Sequence, residues 1–175
     1  PDAYDIRSPY YRWERVWTAD ELKNALQSTL AAQSATGFVK PAFNKSDKLD
    51  DLLEIKVLKR GGSGKIIEME IVTRSQTYKV YKELVVRRLI TKDGKALPSA
   101  NVVFDNEYDE NGLLTGVHAY GGGFGHGVGL SQFGAGFMGS ELHMSYDKIL
   151  QHYYSGVTLS TKPVIISANN AQQAV

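Results

Sequence analysis

Residues 121–135 read GGGFGHGVGLSQFGA and set one imidazole, His126, and one primary amide, Gln132, among closely spaced glycines. Glycine takes positive φ freely and lets a ligand or another chain approach the backbone, at a cost of ~0.5–1 kcal/mol relative to Ala in a regular element. Gly125, Gly127 and Gly129 would therefore keep the surroundings of His126 open. An imidazole with an ordinary pKa of ~6.5 can donate, accept or ligate a metal. The Gln132 amide donates and accepts at once, and Ser131 adds a hydroxyl. Together they suit a ligand rich in hydroxyl and amide groups. By residue type alone the plainer reading is favoured, in which the glycines make a tight turn and His126 only bonds a backbone carbonyl.

Other chemistries fit less well. A phosphate-cradling P-loop needs a following Lys-Ser or Lys-Thr, and a dinucleotide fingerprint needs a βαβ unit with an acid ~20 residues on; neither is present. His118, His126, His143 and His152 lack the short pairing of an H-E-x-x-H metal site. No Cys occurs, which removes disulfides, thiolate metal sites and a cysteine nucleophile. With 20 Lys and Arg against 19 Asp and Glu, the chain lacks the basic field of a nucleic-acid binder. No apolar run approaches the ~20 residues of a membrane span. No metal and no cofactor is called for by these residues.

The elements that must position this segment are legible on either side of it. Thr18 followed by Glu21 is a capping-box signature, and Leu22, Ala25, Leu26 and Leu30 recur at helical spacing, which predicts a helix over 19–32. Ile55 and Val57, the turn Gly61-Gly62-Ser63-Gly64, and the β-branched run 66–72 predict a hairpin over 55–73. A strand over 77–81 and a short helix over 83–89 are weaker signals. A second hairpin, 101–121, turns at Asn111-Gly112 and leads into the glycines. A helix over 145–155 has Ser145 as its cap and Gly156 as its stop. Residues 157–166 read as a last extended segment, and 169–175 as a polar tail. The expected class is α+β: two β-hairpins in a mixed or antiparallel sheet with two or three short helices, in one domain over residues 1–175.

At this point the residues carry a resemblance. GHGVGLSQFGA, then Tyr146-Asp147-Lys148-Ile149-Leu150-Gln151-His152-Tyr153-Tyr154-Ser155-Gly156, resembles the closing signature of the stage II sporulation protein D and amidase-enhancer family. That pattern runs G-H-G-V-G-M-S-Q-Y-G-A, then Y-x-x-I-L-x-H-Y-Y-x-G, so Leu130 and Phe133 are conservative departures. Upstream, Ser8-Pro9-Tyr10-Tyr11-Arg12-Trp13-Glu14 resembles the family's arm, and Arg87 with Leu89, Leu97 with Ser99, and Phe104 resemble its later positions. Core packing is the preferred reading of Leu97 and Phe104.

The resemblance implies a peptidoglycan-acting domain outside the cytoplasm, in the bacterial cell envelope. Its partners would be glycan strands, denuded of their stem peptides, and a cell-wall amidase. Tyr11, Arg12, Trp13 and Arg87 join His126, Gln132, Ser131 and the glycines as implied binding residues, and Phe124 is a further aromatic platform. Family members with lytic transglycosylase activity use a Glu in an E-A-L-K-A-Q-A helix that precedes the arm. The chain reads as the C-terminal half of that domain, with the acid upstream of residue 1. The sequence around Glu21 imitates the helix but follows the arm, and Glu14 sits between Arg12 and Arg15, so neither is taken as the acid. Two functions follow: an enzyme completed by an upstream segment, or a glycan-binding module that enhances an amidase. A purely structural envelope protein is a weaker third.

Overall fold

Thr18 ends one element and starts the next. The structure, a computed structural model that describes residues 3–160, places it after β1 (Trp13–Thr18) as the N-cap of α1 (Ala19–Ser34). Its hydroxyl accepts from the Glu21 amide at 3.2 Å while the Glu21 carboxylate accepts from the Thr18 amide at 2.9 Å, which closes the capping box. The helix then buries Leu22, Leu26 and Leu30 completely, each contributing ~1.5–3 kcal/mol of transfer free energy.

The remaining elements are β2 (Val39–Lys40), β3 (Leu52–Arg60), β4 (Ile66–Thr73), β5 (Thr77–Tyr81), α2 (Glu83–Leu89), β6 (Thr91–Lys92), β7 (Lys95–Ala96), β8 (Val102–Tyr108), β9 (Leu114–Gly121), α3 (Gln132–Ser140) and α4 (Tyr146–Tyr153). They form sheets of order β1-β9-β8, β2-β5-β4-β3 and β6-β7, and every pairing is antiparallel. The α+β class and both hairpins stand. The helices number four among the described residues, where two or three were expected. The count reaches four because the weak signal over 83–89 and the segment after the glycines both form helices, α2 and α3. The tail over 169–175 and most of the segment 157–166 lie outside the described residues.

Local chemistry explains the turns. Gly112 takes φ +76° while the Asp109 carboxylate accepts from the amides of Asn111 and Leu113, both at 2.9 Å. In the other hairpin Gly64 takes φ +76° and the Gly61 amide donates to the Lys65 carbonyl at 2.9 Å, which fixes Lys65 at the foot of β4. Ser145 departs from its expected role. It precedes α4 but makes no side-chain cap bond; its hydroxyl bonds instead to the Asp147 carboxyl, which holds that group below the usual carboxylate range.

The two larger sheets share one core of Trp17, Ile55, Ile66, Met69, Ile71, Leu89 and the leucines of α1. Asn106 on β8 links them at the backbone level: its side chain accepts from the Ile55 amide and donates to the Ile55 carbonyl, each at 3.0 Å. Trp17 Nε1 donates to the Thr91 carbonyl at 2.8 Å, so the indole is satisfied where it is buried.

The cap predicts a measurable cost. Thr18→Ala should lower stability by ~1 kcal/mol. The Glu21 carboxyl is held low by Lys92 first and the Thr18 amide second, so its contribution is present at neutral pH and is lost as pH falls through the carboxylate range. Thermal melts should show Glu21→Ala less stable than wild type at pH 7, with the gap closing well below the ordinary Glu value of ~4.3.

Candidate functional site

Strand β9 delivers the chain to the glycine segment, and Trp13 decides how it leaves. Trp13 faces Gly121 across β1 and β9, and its indole lies so close over Gly121 that a Cβ there would collide with the ring. Trp13 Nε1 then donates to the Gly123 carbonyl at 3.1 Å. The next glycine amides are handed to fixed acceptors: Gly122 to the Asn101 carbonyl at 2.9 Å, Gly123 to Tyr10 at 2.7 Å and Gly125 to Pro98 at 2.8 Å. The acceptor strip is itself rigid. Leu97, Pro98, Ser99 and Ala100 are buried, the Leu97 carbonyl accepts from Arg87 Nε at 3.1 Å, and the Ala100 carbonyl accepts from the Ile66 amide at 2.9 Å.

The far end of the segment is held by α4. Ser131 caps α3 by accepting from the Gly134 amide at 3.2 Å. The Tyr153 hydroxyl bonds Ser131 and abuts Gly134, where it leaves no room for a Cβ. Burial pushes the Tyr153 phenol up, against the Ser131 bond that favours its ionised form. The Tyr154 hydroxyl accepts from the Leu130 amide at 3.3 Å. The arm closes over both helices: the Tyr4 ring lies 6.2 Å from that of Phe137 and 5.4 Å from that of His152. Arg7 sits 5.4 Å over Phe137 and pairs with Glu141 at 3.8 Å.

Between these two anchorages the chain runs as an open ribbon. Gly123, Gly125, Gly127 and Gly129 all take positive φ, from +66° to +88°, so the intervening Phe124, His126 and Val128 are exposed. A cavity of about 400 Å³ opens along it, lined by His126, Gln132, Phe124, Lys65, Asp5 and Ser8 among others. His126 Nδ1 accepts from the Val128 amide at 2.9 Å, so the neutral imidazole carries its proton on Nε2 as a free donor. Phe124 is 64% exposed and is backed by the Tyr10 ring at 4.6 Å. A neighbouring cavity of about 450 Å³ shares Asp5, Ser8, Gln132 and Phe133 with the first.

The structure thus gathers His126, Gln132, Ser131, Gly125, Gly127 and Gly129 at one cavity and leaves four other implied residues outside it. Trp13 is 8% exposed, packs over Gly121 as a strut, and lines a separate hollow. Arg12 lies 4.2 Å over the Tyr11 ring and lines a separate hollow of about 550 Å³ with Tyr120 and Gly122. Arg87 has a side chain only 14% exposed, 3.9 Å from Glu83. It reaches the site indirectly, through the Leu97 carbonyl next to Pro98. Neither Glu21 nor Glu14 lines the cavity: Glu21 bonds Lys92 at 2.9 Å, and Glu14 lies 3.6 Å from His118 on the sheet. Sequence reasoning missed Lys65, Asp5 and Tyr10, whose approach to the glycines depends on long-range packing that no local pattern encodes.

Residues 2–129 match the family described as a domain of unknown function, DUF8618, and the chain belongs to that family. Over 170 residues, 97% of the chain, it is 27% identical to the stage II sporulation protein D of Bacillus subtilis (strain 168). Over 51 residues, 29% of the chain, it is 45% identical to the stage II sporulation protein D of Bacillus amyloliquefaciens. These matches span 39% and 14% of the relatives' own lengths. No solved structure matches the chain.

The strut gives a direct test. Gly121→Ala should displace the Trp13 ring and cost ~1–3 kcal/mol, as overpacking does. The expected readout is a lower melting temperature with altered tryptophan fluorescence, whereas Gly136→Ala, whose Cβ meets nothing within 4 Å, should leave both nearly unchanged.

Proposed function

We propose that this chain is a glycan-strand-binding module of the bacterial cell wall, acting in the envelope during sporulation. The observation that carries the reading is the cavity along the glycine ribbon, where an Nε2 donor on His126, the Gln132 amide and the exposed Phe124 face share one opening. Most of what such a strand presents is hydroxyls and N-acetyl groups, for which neutral hydrogen bonds and an aromatic face are the fitting contacts. The likeness to the two sporulation proteins supports the setting. Among the described residues no helix is long and apolar enough to cross a membrane.

Binding is the part of the chemistry these residues equip. Glycosidic cleavage needs a carboxylic acid placed at the scissile oxygen, and hydrolases use a pair of them. Among the described residues Asp5 is the one carboxylate lining the cavity, and Glu21 and Glu14 are engaged by Lys92 and His118. A lytic transglycosylase of this type would therefore draw its acid from a segment outside the described residues.

Calorimetric titration with denuded glycan oligomers tests the reading. His126→Ala and Gln132→Ala should each weaken binding several-fold, the effect of ~0.5–1.5 kcal/mol per hydrogen bond, with unchanged melting temperatures. Unchanged affinity in both variants would return the segment to a structural role. The 175-residue chain should release no anhydromuramyl product from such strands; release that Asp5→Asn abolishes would make the chain an enzyme in its own right.

A further inference from the structure

The cavity along the glycine ribbon has one lysine on its wall, and sequence reasoning gave it no role. The Lys65 stem crosses Gly127 so closely that a Cβ on Gly127 would collide with its outer carbons and ammonium. Gly127 itself holds φ +66°, so the ribbon is shaped to let this side chain pass. Among the described residues the ammonium has no ion pair and no hydrogen bond, although Asp5 lines the same cavity. A cavity-lining cation that no carboxylate pairs with is available to an anionic ligand.

The backbone beside it has the same preference. Among the described residues the amides of His126, Gly127 and Gly129 donate to no protein acceptor, while those of Gly122, Gly123 and Gly125 are all used. Successive N–H groups in a backbone that alternates in hand gather around an anion. Lys65 and the three residues that carry these amides line the same cavity.

We propose that Lys65 and these amides read the lactyl carboxylate of a muramic acid residue. This rests on the glycan reading above and adds the chemical group that the cavity distinguishes. A stem peptide converts that carboxylate into an amide and removes its charge, and a polymer of N-acetylglucosamine lacks the group altogether. Lys65 thus sets a preference for the free acid, separately from the neutral contacts of His126 and Gln132 with the sugar.

Titration calorimetry with three oligomers of equal length separates the contributions: denuded glycan, the same glycan with its lactyl carboxyls converted to methylamides, and chitin. Wild type should bind the free acid on the order of tenfold more tightly than either neutral ligand, as expected for one charge-assisted contact. Lys65→Met keeps the stem over Gly127 and should bind all three at the neutral level, and Lys65→Arg should restore the preference. Equal binding of the three ligands by wild type, or a preference that survives in Lys65→Met, overturns the role of Lys65 while leaving the glycan reading intact. Failure of wild type to bind any of the three overturns both. The wild-type comparison needs no variant to fold, so it stands on its own.

Discussion

Four carbonyls of the strip 97–101, buried as far as Ala100, hold this molecule's site in place. Leu97 accepts from Arg87, Pro98 from Gly125, Ala100 from Ile66 and Asn101 from Gly122. The strip cannot shift without leaving several buried donors unsatisfied, and each such loss costs ~1–3 kcal/mol. Through it α2, the foot of β4 and the glycine ribbon share one frame. The ribbon can then spend its own backbone freedom between Gly125 and Leu130, where the chain meets solvent.

The same frame explains why the glycines and the tyrosine pair recur as one motif. Gly121 yields space to Trp13, Gly127 to Lys65 and Gly134 to Tyr153, so these three are required by neighbours and not by flexibility. Gly123, Gly125 and Gly129 are required by their positive φ. Tyr153 and Tyr154, at the end of α4, bring hydroxyls to Ser131 and the Leu130 amide and hold the far end of the ribbon. The two stretches of the closing signature are therefore the two halves of one clamp, with Tyr4 and Arg7 of the arm packed against Phe137 and His152.

What the sequence revealed follows the range of the forces involved. The capping box at Thr18, the Asn111-Gly112 turn and the hairpin strands rest on contacts a few residues apart, and they appear as expected. Grouping His126 with Gln132 was also legible, because one loop and the first residue of α3 carry both. The burial of Trp13 was not legible, because it depends on partners as far as 110 residues away. The place of Arg87 was hidden for a related reason: its guanidinium donates to the Leu97 carbonyl, and nothing in its neighbours along the chain announces that. Lys65 reads as one more charge beside a turn until the fold lays it over Gly127.

The central claim is that the glycine ribbon, and no other surface, receives the glycan. Backbone amide chemical shifts recorded while a denuded glycan oligomer is added would map the contact residue by residue. The account predicts that the largest changes fall on residues 123–132 and on Lys65. Changes confined to the outer face of the β1-β9-β8 sheet, around His118, Tyr120 and Val103, with the ribbon unmoved, would contradict it.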